Sequence, residues 1–236
     1  MSQQNSNARV KTPLNDFYAV HPTTAQPVEG AKFPGQMLWE FANNGKVLFK
    51  ADDKRYNPND QQAYKKKECE MEAADRNMIF ELLLEAANDE NFTKGQYIIK
   101  KQTFIRQNGQ SKLSDQPIAQ GQFTVIRDPN GVISMGYTRG DYKILFVFTA
   151  PGHSELRFFE NGEWVSKEGK MSQMWVRSYV KRMGGIINTK EMEIYQPPKP
   201  KNGGGNGGWG NNNNGGGNNN NGGNNFGGDD FNDIEF

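Results

Sequence analysis

Residues 35–49 read "GQMLWEFANNGKVLF" and residues 121–135 read "GQFTVIRDPNGVISM". Each opens on Gly-Gln, alternates apolar with polar side chains, reaches an Asn-Gly ten residues later at Gly45 or Gly131, and alternates again. Asn-Gly between two alternating runs predicts a hairpin, because both residues accept the positive φ of a tight turn and alternation gathers the apolar side chains on one face. The chain thus carries two hairpins of one pattern.

The likeness extends outward. An aromatic strand precedes each hairpin, "DFYAV" at 16–20 and "TFIRQ" at 103–107, and another opening on Tyr-Lys follows, "YKKKECEMEA" from Tyr64 and "YKILFVFTA" from Tyr142. A helix then closes each unit. "DRNMIFELLLEAAN" from Asp75 has an Asp for its N-cap and apolar residues on nearly every face, which predicts burial. "SQMWVRSYVKRMGG" from Ser172 has a Ser N-cap, a cationic last turn and glycines where a C-cap belongs. The predicted fold is α+β: a duplicated β-β-β-β-α unit, at about 14–90 and 96–186, with antiparallel sheets backed by helices. Two stretches break the repetition. Residues 51–62, "ADDKRYNPNDQQ", read as a polar loop, and residues 151–170 predict an extra hairpin around Asn161-Gly162.

Composition divides the 236 residues further. Between Asn202 and Gly228 only Trp209 and Phe226 interrupt glycine and asparagine, too little apolar surface to offset the entropy of ordering. The organisation expected is a flexible N-terminus (1–10), a binding domain (11–200), a disordered linker (201–228) and an acidic tip (229–236). Charge follows the same boundary: residues 1–201 hold all 28 Lys and Arg against 23 of the 27 acids, a net +5, and the tip holds the other four. Cys69 is the single cysteine, so no disulfide framework is expected and a reducing, cytoplasmic location (a host's, if the protein is viral) is the reading. No stretch approaches the ~20 apolar residues of a membrane span.

Catalytic motifs are missing. His21 and His153 stand in loops without metal spacing to Cys69, and no phosphate-cradling loop, nucleophile elbow or Cys-x-x-Cys pair occurs. Glu68, Glu70 and Glu72 alternate and read as a solvated strand face. A non-enzyme without metal or cofactor is expected. Basic residues interleaved with aromatic ones are the stronger signal. In the first unit these are Trp39, Phe41, Lys46, Lys50, Lys54, Arg55 and Tyr56, and in the second Lys101, Arg106, Arg127, Tyr137 and Arg139, with Lys100 and Lys143 nearby. Unpaired bases stack on rings, at about 1–3 kcal/mol each, while phosphates seek Lys and Arg. Phe49, Phe104, Phe123, Phe146 and Phe148 read as core, whereas Trp39 and Tyr137 fit either role. Lys54, Arg55 and Tyr56, in a polar loop, are the preferred loop contact.

The last eight residues, "DDFNDIEF", resemble the acidic tip of bacterial and bacteriophage single-stranded DNA-binding proteins, in which a Gly/Asn/Gln-rich linker ends in clustered Asp, an apolar residue and Phe. Asp229, Asp230, Asp233, Ile234 and Phe236 match that pattern; Glu235 stands where the bacterial tip usually has Pro. The resemblance implies a protein that coats single-stranded DNA in replication, recombination and repair. Its tip, with Phe231 and Glu235 included, would dock on a polymerase, helicase, primase, nuclease or host RNA polymerase, Phe236 entering an apolar pocket. A coil of 27 residues from Asn202 to Gly228 spans roughly 30 Å, enough to hold a partner beside a coated strand. The duplicated element order is similar to the Whirly and transcriptional-coactivator class, with an OB-fold barrel as the alternative body. The alternative function is an RNA-binding or transcription-regulating protein with an assembly-prone Asn/Gly tail.

Overall fold

Alternation in the two hairpins becomes two antiparallel sheets. The computed structural model describes residues 9–10, 12, 14, 21–42, 46–55, 66–107, 110–150 and 154–194. Strands β1 (Arg9–Val10), β2 (Gln36–Ala42), β3 (Val47–Asp52) and β4 (Glu68–Met71) pair in chain order, and helix α1 (Ala73–Asn88) follows. Next comes β5 (Lys94–Lys101), then a separate hairpin of β6 (Phe104–Gln107) and β7 (Gln110–Leu113). β8 (Ile118–Arg127), β9 (Ile133–Arg139) and β10 (Tyr142–Val147) complete a second sheet in the order β10-β9-β8-β5. A further hairpin, β11 (Arg157–Glu160) and β12 (Glu163–Ser166), leads into helix α2 (Glu168–Ile194). With the two inserted hairpins set aside, both units run β-β-β-β-α in an α+β fold. No closed barrel occurs among the described residues.

One core joins the units. Met37, Trp39 and Phe41 of β2 and Val47, Phe49 and Ala51 of β3 are buried, as are Phe123 and Val125 of β8 and Met135 and Tyr137 of β9. The Phe49 ring lies 5.0 Å from that of Phe123 and 4.9 Å from that of Tyr137, linking the inner faces of the two sheets. Trp39 packs edge-on against Phe80 of α1 at 5.2 Å, and its indole N–H donates to the Tyr179 hydroxyl of α2 at 3.0 Å. Such ring pairs each contribute about 0.5–1.5 kcal/mol beyond the area they bury. Thr23 closes the seam by bridging Gln36 of β2 and Val147 of β10.

Several boundaries differ from the sequence reading. The first strand of the second unit is Lys94–Lys101; "TFIRQ" supplies β6 of the inserted hairpin instead. Helix α1 is capped by Glu72, whose backbone N–H donates to the Asp75 carboxylate at 3.3 Å, so Asp75 lies inside the first turn. Helix α2 starts at Glu168 and continues through Gly184-Gly185 to Ile194. Ser172 is not its cap but accepts a hydrogen bond from the Ile133 N–H at 2.9 Å, tying helix to sheet. Packing overrides the two glycines: Gly184 faces the Phe80 ring, Ile187 is buried, and Glu191 pairs with the buried Arg76 of α1. The segment at 16–20, the turn at Asn44-Gly45, Tyr56, His153 and residues 195–236 lie outside the described residues.

Candidate nucleic-acid interface

The rings read as candidate base platforms are core. Trp39, Phe41 and Tyr137 are wholly buried on the inner faces, so no base reaches them while the sheets stay packed. The Tyr137 hydroxyl donates to the Glu68 carbonyl at 3.1 Å, and burial raises its pKa well above the ordinary phenol value. Phe104 is corrected in the opposite direction: read as core, it stands 75 % exposed on β6.

Most of the candidate cations already serve the fold. Lys46 pairs with Glu70 at 2.5 Å and Lys50 with Glu40 at 3.6 Å. The loop contact dissolves into ion pairs, Lys54 with Asp52 at 2.7 Å and Arg55 with Asp53 at 2.8 Å. Burial works to raise the Asp53 pKa, but hydrogen bonds from Lys67 and Arg55 outweigh it and hold the carboxyl low. Lys101 reaches Glu72 at 3.5 Å and the Glu70 carbonyl at 3.4 Å. Arg127 donates to the Ala86 and Asp89 carbonyls at 2.9 and 3.1 Å, satisfying the end of α1, and Arg139 donates to the Glu68 carbonyl at 2.5 Å. Of the cations read as binding residues and described, Arg106 alone is exposed with no ion pair among the described residues.

The strand pattern does build a cationic surface, on alternate residues to those singled out. Antiparallel register sets Ile98, Gln122, Thr138 and Lys143 in one row across the second sheet, and Gln96, Thr124, Gly136 and Leu145 in the next. A third row is Lys94, Ile126, Ser134 and Val147. With the exposed Lys100 these residues make the outer face, since their neighbours Tyr97, Phe123, Tyr137 and Ile144 point into the core side. That face carries Lys94, Lys100 and Lys143, each exposed, and not one carboxylate among the described residues. The six steps from Lys94 to Lys100 span about 20 Å at ~3.3 Å per residue. The corresponding face of the first sheet is opposite in character, with Glu40, Asp52, Glu68 and Glu70 around Lys50, and it is partly covered, since Leu38, Glu40 and Leu48 on it are buried. A signal for this was legible: residues 91–140 hold seven Lys and Arg but only Asp115 and Asp128 as acids.

The inserted hairpins hold exposed rings that sequence reading missed, and Phe33, in the loop before β2, is another. Phe159 and Trp164 are a cross-strand pair, 62 % and 67 % exposed, with ring centroids 5.3 Å apart. They lie in segments without a counterpart in the other unit, so the repeat gives their positions no core duty.

Other chemistry is muted. Burial pushes the Cys69 thiol up to about 11, leaving little thiolate at neutral pH. Burial likewise pushes the His21 imidazole down to about 4, where its Nδ1 shares a hydrogen bond with the Tyr179 hydroxyl at 3.1 Å. No cluster of three or more His, Cys, Asp or Glu suited to a metal occurs among the described residues, and no helix among them is long and apolar enough to cross a membrane. No known protein family, curated protein or solved structure matches this chain.

Proposed function

We propose that this chain is a non-catalytic, non-sequence-specific single-stranded DNA-binding protein of replication, recombination and repair. In this reading the sugar-phosphate backbone lies on the outer face of β5, β8, β9 and β10, and residues 229–236 recruit partner proteins. The observation that carries it is the segregation of charge: three lysines and no carboxylate on one sheet face, with the acids of the duplicated sheet on the other. A polyanion pays no repulsion there. Gln96, Gln122, Thr124, Ser134 and Thr138 add donors that suit phosphate and sugar oxygens without reading sequence. Exposed rings at the hairpins favour a strand whose bases are unpaired, because a duplex hides its base faces. The tip's role rests on Asp229, Asp230, Asp233 and Phe236, an acidic cluster with a hydrophobic anchor at the end of a glycine- and asparagine-rich tract.

Fluorescence anisotropy with labelled oligo-dT, a duplex of equal length and oligo-U tests the proposal. Oligo-dT binds at least tenfold tighter than the duplex, and removal of residues 229–236 leaves that affinity unchanged or raises it. Duplex bound as tightly as single strand, or no binding at low salt, rejects the reading. Oligo-U bound more tightly than oligo-dT makes this an RNA-binding protein instead.

A further inference from the structure

We infer that the two inserted hairpins are base-stacking fingers at opposite ends of the lysine-bearing sheet face, with unpaired nucleobases as their ligand; this rests on the sheet-face reading above. Topology places them. The β6–β7 hairpin joins the end of β5 to the start of β8, where Lys101 pairs with Ile118, and its base is fastened by a hydrogen bond from the Ser114 N–H to the Thr103 carbonyl at 2.8 Å. It therefore leaves from the end of the sheet that holds Lys100 and Lys143. The β11–β12 hairpin lies between the end of β10 and the start of α2. Val147 of β10 shares its row with Lys94, and the first turn of α2 packs on the β8–β9 turn at Asn130 and Gly131. This second hairpin therefore belongs to the opposite end.

Side-chain register then sorts the two faces of each hairpin. On β6–β7, Phe104 and Arg106 share a face with Leu113 and Ser111, while Lys112 lies on the other. On β11–β12, Arg157, Phe159 and Trp164 share a face, while Glu160 and Glu163 lie with Phe158 and Val165 on the other. Both ring-bearing faces hold an arginine and no acid of their own strands; Arg106 is unpaired among the described residues, and Arg157 pairs with Glu155 just before β11. An exposed Trp or Phe on a solvated hairpin adds nothing to the core, whereas beside a guanidinium and next in the chain to a phosphate-binding strip it suits a base that needs both stacking and charge. A strand running from Lys100 to Lys94 would present bases to one finger at each end.

The test uses the full chain with Trp209→Phe, so that Trp164 is the exposed emitter. Oligo-dT quenches its emission, and Phe104→Ala and Trp164→Ala each weaken oligo-dT binding about five-fold or more. Neither changes the slope of affinity with salt, because a ring neutralises no phosphate, and neither changes affinity for an abasic oligomer of equal length. Wild-type affinity in both variants, with the parent still binding, overturns the fingers and leaves the sheet face standing. A parent that binds no oligo-dT removes both. A shift of sedimentation mass in either variant at unchanged affinity assigns the rings to contacts between copies and overturns the inference.

Discussion

Gly35 and Gly121, the glycines that open the repeated Gly-Gln, sit where a methyl group has no room. A Cβ on Gly35 would lie 2.9 Å from the Asp52 carbonyl oxygen and 3.3 Å from Ile144 of the second sheet. On Gly121 it would lie 2.8 Å from the Cys69 sulfur of the first sheet and 3.1 Å from the Tyr137 ring. Each glycine thus marks the place where its unit meets the other, which gives the repeated letters a physical cause. The residues between them are core for the same reason. Trp39→Ala, which empties the inner face and strips the Tyr179 hydroxyl of its indole donor, is expected to cost about 3–5 kcal/mol in urea unfolding while the folded variant keeps its oligo-dT affinity. Unchanged stability with lost affinity would return Trp39 to the binding surface. Alternation alone could not tell which of two strand faces points inward. Phe123, Val125 and Arg127 and then Ile133, Met135, Tyr137 and Arg139 do share a face running from apolar to cationic, but it is the buried one, and its arginines cap carbonyls at either end.

At the scale of elements, hairpins and helices were legible because period and turn chemistry are local. The Asn161-Gly162 hairpin follows from residues that both adopt positive φ, 52° and 88°. Helix ends were less legible because contacts distant in sequence decide them. Two consecutive glycines normally end a helix, yet α2 gains from Phe80, Ile187 and the ion pair of half-exposed Glu191 with buried Arg76 more than the glycines lose. Gly185 faces open space, with no heavy atom within 4 Å of a Cβ built there. Gly185→Ala is therefore expected to stabilise the protein by about 0.5–1 kcal/mol in denaturant titration. A loss of stability would mean that the helix breaks at this position. β5 was missed as the opening strand because its outer positions, Lys94, Gln96, Ile98 and Lys100, are mostly polar and only Ile99 of its inner ones is fully buried.

Across the whole molecule, a duplicated fold has been given two different surfaces. Both units supply a four-stranded antiparallel sheet and a helix to one core. The first sheet's outer face is acidic and laced with ion pairs, and the second's is lysine-bearing and acid-free, with ring-bearing hairpins inserted at both ends. A basic surface was legible in the sequence as a pattern, through Lys and Arg among aromatic residues. The particular side chains were not, because a lysine in an ion pair and a lysine on an open face look alike until register brings the carboxylates into view. Lys46, Lys50, Lys54 and Arg55 were singled out, and all four face acids across a strand or a turn. The salt dependence of oligo-dT binding in Lys94→Ala/Lys100→Ala/Lys143→Ala separates these groups directly. Each phosphate neutralised on a single strand contributes about 0.7 to the log-log slope, so the triple variant is expected to lose about 2 from that slope with its folding intact. An unchanged slope, or an equal loss on replacing Lys46, Lys50 and Lys54 instead, would contradict the sheet face as the place where DNA is held.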